Sequence, residues 1–137
     1  MRRYLLDTGP AGDFVNRRLA VYGRAKRAAA DGNRVGICVP VLGELWAGVL
    51  GSATRQRNEE RLVRRLRDLV VWPYENLAAH EFGRLFAELR RMGRPMQQID
   101  VQIAAVALTL GNCTVVTKDS DFHAIPGLDV EDWSLPS

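Results

Sequence analysis

The feature that most limits how this chain can fold is an alternation. Short runs of aliphatic and β-branched residues recur between much longer stretches with helical spacing. Tyr4 to Asp7, Val35 to Val39 (VGICV) and Cys113 to Thr117 (CTVVT) are the strong short runs. None alternates apolar with polar residues, so each reads as a strand buried on both faces, as in a parallel sheet. Val70 to Pro73 and Val130 to Trp133 are weaker candidates of the same kind.

Parallel neighbours need a crossover, and the intervening stretches can supply it. After a turn at Thr8-Gly9-Pro10, helices are expected over roughly Ala11 to Arg18 and Leu19 to Ala30, closed by Asp31-Gly32-Asn33. Leu42 to Leu50 reads as a third helix. Gln56 to Val70 carries Leu62, Val63, Leu66, Leu69 and Val70 as one stripe. Asn76 is the expected N-cap of a helix through Arg91, with Phe82, Leu85, Phe86 and Leu89 on one face. Asp100 to Leu110 is apolar almost all round and should be buried. The expectation is a three-layer α/β/α fold around a parallel sheet of four to five strands. At 137 residues it makes one domain, spanning 1–137.

Several classes drop out. No apolar run reaches the roughly 18 residues of a membrane span. MRRYLLDTG has too short an apolar patch for a secretory signal. Cys38 and Cys113 form no disulfide framework and lack metal-ligand spacing, which favours the reducing cytoplasm. There is no covalent-catalysis signature, and Gly43 and Gly48, though at P-loop spacing, are followed by Val49 instead of Lys.

The acids are more informative. Asp7 ends the first strand, Glu44 lies early in the helix after the second, Asp100 opens the buried helix, and Asp119 and Asp121 follow the third strong strand. In a parallel α/β sheet the carboxyl ends of the strands face one crevice, so these five should converge. An all-oxygen set suits the hard cations Mg²⁺ or Mn²⁺, which would also relieve the repulsion among the carboxylates. His80 and His123 are not placed to select zinc. Structural alternatives stand beside each: Asp7 or Asp100 as helix caps, Glu44 paired to an arginine, Asp119 and Asp121 as turn acids. Setting aside Asp7, Glu44, Asp100 and Asp119 leaves nineteen basic residues against twelve acids. Only Lys26 and Lys118 are lysines, so the surplus is arginine, whose planar fork suits phosphate. An acidic pocket in an arginine-rich body is what an enzyme cutting a polyanion needs.

Four segments then resemble the PIN-domain ribonucleases, and within them the VapC-type toxins of bacterial toxin–antitoxin pairs. They are YLLDT at Tyr4 to Thr8, VPVLGELWAGV at Val39 to Val49, IDVQIAAVAL at Ile99 to Leu108, and VVTKDSDFHAIPGLDVEDW at Val115 to Trp133. The resemblance implies a Rossmann-like sheet and a Mg²⁺- or Mn²⁺-dependent endoribonuclease that forms a homodimer and is inhibited by a cognate antitoxin. By motif it makes Asp7, Glu44, Asp100 and Asp119 the catalytic and metal-binding acids. Asp121 is a further candidate ligand, and Thr8 a hydroxyl that holds Asp7 or a metal water. It makes the Arg55 to Arg67 helix and Arg94 candidates for RNA contact. Gly9 stands where many members have Asn, so any contact of that side chain is missing. The alternatives are a housekeeping nuclease of the same fold, a haloacid-dehalogenase-like phosphatase, which normally needs an acid where Gly9 stands, and a non-catalytic RNA-binding module.

Overall fold

The computed structural model describes residues 1–135. Five strands form one sheet: β1 (Arg3–Leu6), β2 (Arg34–Cys38), β3 (Val70–Trp72), β4 (Cys113–Val116) and β5 (Asp129–Glu131). Their order is β3-β2-β1-β4-β5 and every pairing is parallel. Six helices connect them: α1 (Thr8–Val15), α2 (Leu19–Ala30), α3 (Val39–Leu50), α4 (Arg55–Leu66), α5 (Asn76–Arg91) and α6 (Gln98–Leu110). A short 3₁₀ turn, Ser120–Ala124, follows β4.

The path explains the three layers. From β1 the chain steps outward to β2 and β3, then returns through α5 and α6 to β4 on the other side of β1. Right-handed crossovers in opposite directions place helices on opposite faces of the sheet. The central strands are buried accordingly: Leu5, Leu6, Ile37, Val115 and Val116 are wholly inaccessible. So are Val101, Ile103, Ala104 and Ala105 of α6, as its all-round apolar sequence requires. Gly36 of β2 is dictated by closeness, because a methyl group there would overlap the Val70 carbonyl of β3. Among the described residues no helix is long and apolar enough to cross a membrane.

The expected elements are all present, with corrected ends. The stretch Thr8-Gly9-Pro10 is not a free turn but the first turn of α1, where the N–H that proline lacks would have no helical partner anyway. For the same reason α3 starts at Val39, three residues before Leu42, with Pro40 in its first turn. The fourth helix stops at Leu66, because Val70 belongs to β3. Asn76 is the first helical residue of α5 and not its cap; the cap position is Glu75, without a side-chain bond. Similarly, α6 begins at Gln98, so Asp100 lies inside the first turn and does not cap it.

At the end of α1, Asn16 is the C-cap, and the N–H groups of Arg17 and Arg18 bond the carbonyls of Phe14 (3.1 Å) and Asp13 (2.8 Å). This pattern needs a left-handed residue at Arg17, whose φ is +54°. Glycine is the residue usually found there.

Candidate active site

The sheet changes direction between β1 and β4, and the carboxyl ends of these two strands open a crevice at that point. Asp7 stands at its floor, immediately after β1. Its backbone N–H continues the sheet by bonding the Val116 carbonyl at 2.9 Å. Its half-buried carboxylate is held from both sides. Oδ1 accepts the Thr8 N–H at 2.7 Å, which caps α1, and Oδ2 accepts the Thr117 hydroxyl at 2.8 Å. Asp7 therefore does cap a helix, but its position also aims it into the crevice.

Thr117 was not among the residues singled out by sequence. It is buried directly after β4, and its Oγ1 also accepts the Asp119 N–H at 3.0 Å. One hydroxyl thus ties the first acid to the loop carrying the last two. The signal for it was a polar residue closing a strand that is otherwise wholly apolar at its end.

Glu44 projects from the second turn of α3 and its Oε1 accepts the Thr8 hydroxyl at 2.8 Å. The sequence alternative, an ion pair with arginine, is not found among the described residues. Thr8 holds Asp7 through its backbone and Glu44 through its side chain, linking the first two acids. Asp119 caps the 3₁₀ turn by accepting the Asp121 N–H at 2.9 Å. Arg94 lies beyond α5 and shares a small cavity of about 230 Å³ with Asp121.

Asp100 shows how closely the charges gather. Its carboxyl is pushed up to about 6, first by burial and then by Asp7, Asp119, Glu44 and Asp121 in that order. Asp7 is also raised, chiefly by burial, against the lowering effect of Thr117 and Thr8, with Asp119 and Glu44 adding repulsion. Asp119 acts on both, whereas Asp121 is exposed and is the weakest contributor to Asp100. The acids therefore influence one another across the carboxyl edge of the sheet.

The donor set is carboxylate and hydroxyl oxygen only, and among the described residues no arginine or lysine is paired with these acids. That chemistry fits a hard divalent cation, which would remove the mutual repulsion. Among the described residues no group of three or more Asp, Glu, His or Cys side chains is arranged so that it could hold a metal ion. Several carboxylate oxygens are instead engaged by Thr8, Thr117 and the Asp121 N–H. The cysteines take no part: both are buried, and burial pushes the Cys38 thiol up to about 11 and the Cys113 thiol up to about 12.

Comparison with known proteins identifies the family of the chain. The PIN domain family model matches residues 4–128. The chain is 36% identical over 127 residues to ribonuclease VapC5 of Mycobacterium tuberculosis, covering 89% of this chain and 93% of the relative. It is 34% identical to the tRNA(fMet)-specific endonuclease VapC of Salmonella typhimurium, covering 97% of this chain and 99% of that one. The crystal structure of DNA-bound VapBC from Salmonella typhimurium superposes with a TM-score of 0.88 at 30% identity, covering 97% and 99% of the two chains.

Proposed function

Because the chain belongs to the PIN-domain family, among its VapC-type members, we propose that it is an endoribonuclease toxin that hydrolyses RNA phosphodiesters at the crevice between β1 and β4. What supports this reading is that Asp7, Glu44, Asp100 and Asp119, from four separate segments, lie toward the carboxyl ends of the parallel strands, with Thr8 bonding both Asp7 and Glu44 and Thr117 bonding both Asp7 and the Asp119 N–H. The family supports the reaction class, and these bonds support the assignment of residues.

Asp7, Asp100 and Asp119 would hold Mg²⁺ or Mn²⁺, with Glu44 binding directly or through water and Asp121 as an outer ligand. Such an ion polarises the scissile phosphate and lowers the pKa of a bound water. The chain's own groups do the rest. Thr117 and the Thr8 N–H fix both oxygens of Asp7, so the carboxylate has one orientation. Thr8 fixes Oε1 of Glu44 and leaves Oε2 to orient the attacking water and take its proton. The departing ribose oxygen is protonated from solvent. Asp119 is set by its bond to the Asp121 N–H, which also sets how the loop after β4 approaches the pocket.

The same reading makes 1–137 a single PIN domain that works in the cytoplasm. It includes a cognate antitoxin as partner, because the Salmonella relative was crystallised as VapBC, and a homodimer on the family resemblance alone. A phosphatase passing through an acyl-phosphate on Asp7 is disfavoured by Gly9, where its second acid would stand.

The test is cleavage of end-labelled RNA by the purified protein across a Mg²⁺ titration. Wild-type protein should cut, chelation should stop it, and Asp7→Asn should be inactive with an unchanged circular dichroism spectrum. Full activity in the Asp7→Asn variant, or undiminished cutting in excess chelator, would refute the proposal.

A further inference from the structure

A second charged region lies along α1 and α4, away from the acids. The left-handed turn after α1 presents Arg17 and Arg18, and α4 presents Arg61, Arg64 and Arg65. These five arginines and Asn16 line one open cavity of about 570 Å³. Local neutralisation is sparse. Arg18 pairs with Asp13 at 3.3 Å, but among the described residues Arg17, Arg61 and Arg64 have no carboxylate within 4 Å. Arg61 donates instead to the neutral Asn16 Oδ1 at 2.9 Å.

Arg65 is the most telling. Its side chain is only 7% exposed, its nearest carboxylate is Asp68 at 4.0 Å, and its buried Nε has no hydrogen-bond partner. A buried guanidinium without a bonded counter-ion is costly. An anion seated among the five would supply that counter-charge. The Arg17 backbone adds a second cost, since a left-handed conformation is unfavourable for any side chain beyond Cβ-less glycine.

The cavity also leads to the acids. A neighbouring groove of about 410 Å³ is lined by Thr8 and Glu44 as well as by Arg18 and Arg61. It shares Val15, Asn16, Arg18 and Arg61 with the arginine cavity. A strand cut at the acids could thus continue along α1 to the arginines.

Resting on the nuclease reading above, we propose that Arg17, Arg18, Arg61, Arg64 and Arg65 form a phosphate-binding site that grips the RNA backbone some nucleotides away from the scissile bond. Guanidinium forks hold phosphate bidentately, and their clustering makes binding steeply dependent on salt. Such a site recognises the backbone and not the bases.

The experiment measures binding of a labelled single-stranded RNA in chelator, where no cutting occurs, over about 50 to 200 mM KCl. The variant is Arg17→Gly with Arg64→Ala, both at exposed positions, the first placing glycine where the backbone favours it. It should melt no lower than wild type, bind roughly tenfold more weakly, and show a salt slope shallower by about 0.7 for each arginine removed. A control removes Arg27 and Arg34, which lie by the amino ends of the strands and cost the same charge. It should bind like wild type.

In Mg²⁺, the Arg17→Gly, Arg64→Ala variant should lose kcat/KM on long RNA but not on a dinucleotide. Unchanged binding and slope in the variant, or an equal loss in the control, would overturn the site; an acidic protein segment would then be the occupant to test. Wild-type protein that binds RNA but never cuts it would sink the nuclease reading while leaving this site standing.

Discussion

Replacing Asp100 by Asn tests the combined cost of burial and charge crowding, because it removes the most strongly shifted carboxylate without changing its shape. In the folded protein the Asp100 carboxyl is pushed from 3.8 to about 6. A shift of that size corresponds to roughly 3 kcal/mol. Asp100 is only half-buried, so screening by water reduces the realistic cost to about 1 kcal/mol. The sign follows from where the proton is held more tightly. The fold favours the protonated acid, so the stability that Asp100 contributes is fully present below the unfolded value of 3.8. That contribution is lost as pH rises from there to about 6, and is flat above. The Asn variant escapes that loss. In chelator at pH 8 it should melt higher than wild type by about 3 to 5 °C, from ~1 kcal/mol spread over a domain of this size. At pH 4.5 most of the gain should be gone. Added Mg²⁺ should raise the wild-type melting temperature and leave the variant nearly unmoved. RNA cleavage should fall by at least about a hundredfold, the loss expected when an ion's several kcal/mol of transition-state stabilisation is forfeited. Differential scanning fluorimetry at the two pH values, with and without Mg²⁺, decides it. A variant no more stable than wild type at pH 8 in chelator would show that burial and the neighbouring acids do not penalise the Asp100 charge as the structure implies. A gain undiminished at pH 4.5 would refute titration of Asp100 as its source.

Thr117→Val should lower cleavage by about tenfold, the cost of one hydrogen bond to a charged group. Because the Thr117 hydroxyl lowers the Asp7 pKa, its loss should also move the acid limb of the kcat/KM profile to higher pH; an unmoved limb would remove Thr117 from the site. Gly36→Ala should cost about 2 kcal/mol or more in a urea melt, since the added methyl runs into the β3 backbone and not into a side chain that could rotate away. Arg17→Gly should gain about 1 kcal/mol in the same assay by relaxing the left-handed turn, and a loss would mean the Arg17 side chain contributes to folding.

The four principal acids could be read from the chain because each sits next to a feature with a strong one-dimensional signature. Asp7 and Asp119 follow apolar runs, Asp100 opens an apolar helix, and Glu44 follows a strand and a proline. A parallel sheet then forces strand ends together, so local patterns carry long-range information. What stayed hidden depends on contacts between distant segments. Thr117 looks like any strand residue until β4 is set beside β1 and its hydroxyl meets Asp7. The arginine cavity combines a turn at Asn16 to Arg18 with one face of α4, and neither part alone suggests a pocket. The early starts of α1 and α3 were obscured by Pro10 and Pro40, which mark an interruption inside a helix but are welcome in its first turn.

The pairing of β1 with β4 has a consequence for how the protein is made. Leu5 lies opposite Val115, so the middle of the sheet is closed by two segments separated by most of the chain. A nascent polypeptide emerging from the ribosome can carry Asp7, Glu44 and Asp100 for seconds before Thr117 and Asp119 exist. Through that interval β1 has no partner on one side and Asp7 lacks one of its two clamps. A product truncated before Cys113 would therefore be inert, however many of its acids it held. A chain that degrades RNA would in this way stay silent toward the message being translated into it until β4 and the loop after it have emerged.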